Sequence, residues 1–100
     1  MNDGRFQWDE EKATSNYGKH GVRFEAAQRV FEDPFAIELI DDRHDYGEDR
    51  FVLIGMASAR LLTVVYALRD ETIRIISARG AEPFEHRAYH EQNRQQLEAQ

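Results

Sequence analysis

The sequence predicts one α+β domain over residues 1–100: an N-terminal helical hairpin, an antiparallel β-sheet and a C-terminal helix. Three observations carry this reading. Apolar residues recur at helical spacing up to Phe31, the period changes to two after Pro34, and a proline-led helical pattern returns at Pro83. The chain has 100 residues, the size of a single domain, and its 41% apolar share suffices for one core.

Each element has its own signal. Phe6-Gln7-Trp8 reads as a short aromatic strand or staple. Asp9 is a good N-cap, and Glu10 and Glu11 place negative charge where the helix dipole favours it. Ala13, Tyr17 and His20 share one helical face, and Gly21 supplies the left-handed C′ position, so the first helix runs from about 9 to 20. Phe24, Ala27, Val30 and Phe31 predict a second helix over about 23–32, stopped by Asp33-Pro34. Tyr17, Phe24, Val30 and Phe31 are expected in the core.

Phe35 to Ile40 alternates as a strand, followed by a polar loop from Asp41 to Asp49. Phe51 to Ile54 is a second strand, and Gly55 to Ala59 reads as a turn. Leu61 to Leu68, rich in β-branched residues, is the expected central strand. A tight hairpin at Arg69-Asp70-Glu71 leads into Thr72 to Ala78. Short links between the last three of these strands require an antiparallel meander. Pro83 suits the first turn of the last helix, which is expected to fray after about residue 94 because Leu97 is its only aliphatic residue beyond Ala88.

Net charge is −6 and unevenly spread. Residues 1–50 hold 13 acidic and 7 basic side chains, whereas 51–89 hold 4 acidic and 5 basic, all five arginine. Such a field repels nucleic acid overall, so phosphate chemistry needs a local arginine cluster, and the acidic half suits a basic partner. The longest apolar run is strand-length and the first residues lack a signal-peptide core, so a cytoplasmic chain with no membrane association is expected. There is no cysteine, hence no disulfide or thiolate metal site.

The strongest chemical signal lies at the end of the last strand. Arg74 and Arg79 are an odd number apart, so a regular strand points them to opposite faces. Glu85 and Tyr89 follow at i, i+4 on the helix, with Arg87 between them. An arginine leaving a strand beside a Glu/Tyr pair can hold phosphate and move protons, or can simply pin the helix through Glu85. His86 and His90 have a metal-compatible spacing but no evident third ligand. His44 amid Asp41, Asp42 and Asp45 is most simply a turn, so neither metal nor cofactor is expected. His20 suits the helix C-terminus.

Several runs together resemble the BrnT family of toxins (DUF497). They are Phe6-Gln7-Trp8-Asp9 with Lys12 and Asn16; Lys19-His20-Gly21-Val22 with Phe24-Glu25-Ala26-Ala27; Val30 to Pro34; Arg43-His44, Gly47-Glu48 and Arg50; Val64-Val65-Tyr66; Ile73 to Arg79; and Glu85, Arg87 and Tyr89. The resemblance implies a RelE-like fold and a ribonuclease toxin that arrests growth by cutting RNA without a metal. It implies a BrnA-like ribbon-helix-helix antitoxin as partner, with DNA bound only through that complex. On this reading Arg79, Glu85, Arg87 and Tyr89 are the expected catalytic residues, with Glu85 the first candidate base and His20 and His86 alternative proton carriers. Arg60, Arg74 and His20 are the expected RNA contacts. The family usually continues S-A-R with a basic stretch, whereas this chain has Gly80-Ala81-Glu82-Pro83-Phe84. The lower local charge keeps open an alternative, a non-catalytic domain that only binds its antitoxin.

Overall fold

A computed structural model describes residues 4–41 and 49–98 of the chain. The elements are β1 (Phe6–Gln7), α1 (Glu10–His20), α2 (Phe24–Val30), β2 (Ile37–Asp41), β3 (Arg50–Ala57), β4 (Arg60–Arg69), β5 (Thr72–Gly80) and α3 (Pro83–Glu98). The α+β order matches the sequence reading. His44 and most of the polar loop around it lie outside the described residues.

The sheet has five strands in the order β1-β5-β4-β3-β2. Strands β3 to β5 form the expected antiparallel meander and β2 extends it, but β1 joins β5 in parallel and makes the sheet mixed. This pairing was not anticipated, because a two-residue strand has no period to read. Helix α1 begins as its sequence dictates: Asp9 accepts hydrogen bonds from the Glu11 and Lys12 N–H groups. It ends at Gly21, whose φ of 68° lets its N–H reach the Tyr17 carbonyl.

Strand β3 is longer than predicted. The Gly55-Met56-Ala57 run continues the strand, and the turn shrinks to Ser58–Ala59. Gly55 is there for space: a Cβ would lie 2.9 Å from both the Ala36 Cβ and a Val30 methyl. The glycine marks a close approach of α2 and the segment before β2 to the strand rather than a turn. The last helix also runs past the expected fraying point, to Glu98.

One sheet face is closed by α1 and α2. Phe6, Trp8, Phe24, Val30, Leu62, Val64, Tyr66, Ile75 and Ala78 form its core. Trp8 meets Phe24 edge-on at 5.8 Å, and Phe31 meets both Phe6 and Tyr66 edge-on. Tyr17 departs from expectation: it is 46% exposed, and α1 buries Asn16 instead. The other face meets α3 over a smaller cluster of Ile37, Ile54, Leu61 and Tyr89. No described helix is long and apolar enough to cross a membrane.

Candidate functional site

The β4–β5 register is regular from Arg69↔Thr72 to Tyr66↔Ile75 and again from Val65↔Ser77 to Leu62↔Gly80, with a shift between. Ile76 is therefore an extra residue, a β-bulge. Its consequence corrects the sequence expectation for the arginines. Arg74 pairs with Ala67 and Arg79 with Thr63, and these partners, four apart on a regular strand, share a face. Arg74 and Arg79 therefore share a face, the one on which α3 lies. Arg50 joins them, in register with Ala67 from the other side.

Helix α3 covers only part of that face, touching the sheet chiefly through β3. Leu39, in register with Val52 and so in line with Val65, is half exposed. Arg74 is half-buried, and its side chain makes no hydrogen bond or ion pair among the described residues. The result is a partly open surface with arginines on β3 and β5.

At its upper end, Arg79 and Glu85 form a two-pronged ion pair: Nη1 to Oε1 at 2.8 Å and Nη2 to Oε2 at 3.0 Å. Glu85 Oε1 also accepts from the Thr63 hydroxyl and the Glu82 N–H, both at 2.8 Å. The Glu82 contact is half a capping box, with Glu85 at the third helical position. Glu85 is 4% exposed. Burial pushes its pKa up, but Arg79, the Glu82 N–H and Thr63 together outweigh this and hold the carboxyl below its ordinary value. A carboxylate so fully engaged orients an arginine; it is a weak proton acceptor.

Tyr89 lies one turn further along α3 and donates to Asp33 Oδ2 at 2.7 Å. Burial, then Asp33, pushes the Tyr89 hydroxyl up to about 12. Asp33 also accepts from the Phe35 and Met56 N–H groups. Burial raises its pKa, but these three donors more than offset it and leave it lowered. Asn93, another turn on, donates to the Phe35 carbonyl. Glu85, Tyr89 and Asn93 thus form one polar stripe at i, i+4 and i+8 that docks α3.

The structure does not gather all the predicted residues. Arg79 and Glu85 touch; Tyr89 turns to Asp33. Arg87, two positions past Glu85, is exposed and lines a shallow cleft with Phe84, His86, His90 and Arg94. His86 and His90 stack there at 6.3 Å, and no group of three or more potential metal ligands forms among the described residues. His20 lines a cleft of about 190 Å³ with Lys12 and Lys19 of α1 and with Ile76 and Ser77 at the bulge. Arg60 lies over Gly80, near the end of β5.

Asn16 has a structural part that its place in the sequence does not reveal. Its amide donates to the Ala78 and Val22 carbonyls and accepts from the Ala78 N–H. It thereby completes the edge of β5 where β1 stops. Its one sequence signal was a place among the runs that carry the family resemblance. Those runs meet here: Lys12, Asn16, Lys19 and His20 on α1 face Ser77 and Ala78 on β5.

Residues 8–85 match the family model described as the ribonuclease toxin, BrnT, of type II toxin–antitoxin systems. No curated protein matches the chain. The match spans most of the sequence, and the chain belongs to the BrnT family.

Proposed function

We propose that this BrnT family member is a metal-independent endoribonuclease that arrests growth, acting where β5 presents Arg74 and Arg79. The observation that carries the proposal is the Ile76 bulge, which turns both arginines to one partly open face. An RNA phosphate there meets Arg74 first, because Arg79 already holds Glu85. The RNA 2′-hydroxyl attacks the adjacent phosphorus and loses its proton to a base. The bond to the 5′-oxygen breaks, that oxygen takes a proton, and a 2′,3′-cyclic phosphate remains.

Arg79 supplies positive charge to the phosphate, and Glu85 aims it. Tyr89, committed to Asp33, keeps α3 in place. His20, at the edge of β5 beside the bulge with Lys12 and Lys19, is the proposed proton carrier. Arg60 and Arg87 extend the contact with RNA beyond the reacting phosphate.

The test is cleavage of single-stranded RNA by the purified protein in EDTA, wild type against Arg74→Ala. The expected loss for Arg74→Ala is on the order of 10²-fold, with the melting temperature unmoved. Wild-type cleavage by Arg74→Ala would remove this face from the reaction. Activity lost in EDTA and restored by zinc or magnesium would overturn metal independence.

The second reading, a non-catalytic antitoxin-binding domain, is favoured by one observation: both prongs of Arg79 are taken up by Glu85. In either case the partner is proposed to be a basic, BrnA-like ribbon-helix-helix antitoxin, with DNA bound only through the complex. The acidic first half and the exposed Phe35, Leu39 and Ile40 beside and along β2 support this. The complex is expected to weaken but persist in 1 M salt, since salt screens charge and leaves apolar burial intact. Affinity unchanged by salt would refute the electrostatic part.

A further inference from the structure

A cleft of about 540 Å³ lies beside the α1–α2 junction, within the ~300–1,000 Å³ typical of ligand pockets. Its polar wall is cationic: Arg23, Arg29 and Arg60 line it against one carboxylate, Glu25. On one side, the Arg23 guanidinium stacks 4.3 Å from the ring centroid of Tyr17, which is half exposed. The left-handed turn at Gly21 brings Tyr17 of α1 beside Arg23, the residue that precedes α2. On the other side, Arg29 Nη1 donates to the Ser58 hydroxyl at 3.3 Å, at the β3–β4 turn. Arg60 completes that wall and rests against Gly80, where a Cβ would stand 2.7 Å from its Nη2.

We propose that this cleft is a second single-stranded RNA subsite: one base stacks on the Tyr17–Arg23 platform while Arg29 and Arg60 hold the flanking phosphates. The proposal rests on the ribonuclease reading for its substrate class and extends it to a surface outside the reacting face. An exposed aromatic ring backed by a guanidinium is a stacking platform that accepts any base. Three guanidinium groups on a chain of net charge −6 concentrate the local field that a polyanion needs. Arg60 joins the cleft to Gly80 at the end of β5, so a strand passing round that end of the sheet can reach Arg79 on the other face.

The experiment is fluorescence anisotropy of the full chain with a single-stranded oligonucleotide 2′-O-methylated throughout, which binds but cannot be cleaved. Tyr17→Ala is expected to weaken binding by about tenfold, and Tyr17→Phe to retain it. Arg29→Ala and Arg60→Ala are each expected to lower the salt slope by about 0.7. Gly80→Ala should weaken binding too, by displacing the flexible end of Arg60 at little cost to the fold. Wild-type binding by Tyr17→Ala and Arg29→Ala overturns the subsite. Polyglutamate binding with the same dependence on Tyr17 also overturns it, since polyglutamate has no ring to stack, and would indicate an acidic protein ligand instead. Tyr17-dependent binding without cleavage of unmodified RNA sinks the ribonuclease reading alone. Cleavage with binding indifferent to Tyr17 sinks the subsite alone.

Discussion

The two faces of the sheet are held by different physics. The α1–α2 face is closed by large apolar side chains, with Phe24, Ala27 and Val30 fully out of water. The α3 face depends on a polar stripe, Glu85, Tyr89 and Asn93, each with a named partner on the sheet or the α2–β2 corner. Apolar burial is non-directional and tolerates small shifts; hydrogen-bonded locks are directional and fail one at a time. The second arrangement lets a helix sit on a sheet while much of the surface beside it stays open. Here the open part holds the arginines.

The largest effect should come from the closed face. Phe24→Ala is expected to cost ~3–5 kcal/mol, lowering the melting temperature by more than about 12 °C. A small loss would mean that this core collapses around the cavity, and the contrast between the faces would fade. Next comes the lock: Arg79→Ala strands a buried carboxylate and should cost on the order of 3 kcal/mol, while Arg79→Ala with Glu85→Gln should recover part of it. Strict additivity in that cycle would show that the two residues act separately.

Asn16→Ala is expected to cost about 2 kcal/mol by leaving the Ala78 and Val22 backbone groups unpaired, read by chemical denaturation. The smallest effect is one of pH. Glu85 and Asp33 have folded pKa values below their ordinary 4.5 and 3.8. The unfolded chain therefore takes up protons first. Their contribution is complete above about pH 4.5 and is lost as pH falls through the folded values. Glu85→Gln should flatten the dependence of melting temperature on pH between about 5 and 3. An unchanged slope would show that the lock does not titrate.

Much of this was written in local chemistry. Asp9, Gly21, Asp33-Pro34 and Pro83 place the helix ends because caps and breakers act through near neighbours. What escaped depends on residues far apart. Tyr17 fits the inward face of α1 by period alone, yet the space beneath the helix is filled by Asn16 reaching a strand 62 positions away. Gly55 looks like a turn unless α2 is known to press on β3. The bulge at Ile76 leaves no mark in an apolar run, although it decides which face Arg74 occupies. Lys12, Lys19 and His20 belong to one cleft with Ser77, but only folding brings them there.

The Asn16–Ala78 contact also sets an order of events during synthesis. A chain leaving the ribosome N-terminus first carries α1 long before β5 exists. Until Ala78 emerges, Asn16 has no strand edge to complete, and β1 has no partner for Phe6 and Gln7. Contacts this distant in sequence are late and slow to form, because a long loop must close before they stabilise anything. The arginines of β5 emerge together with Ala78. The fold and the arginine face of β5 are therefore completed together, once β5 has been made, and a product cut short before β5 would possess neither.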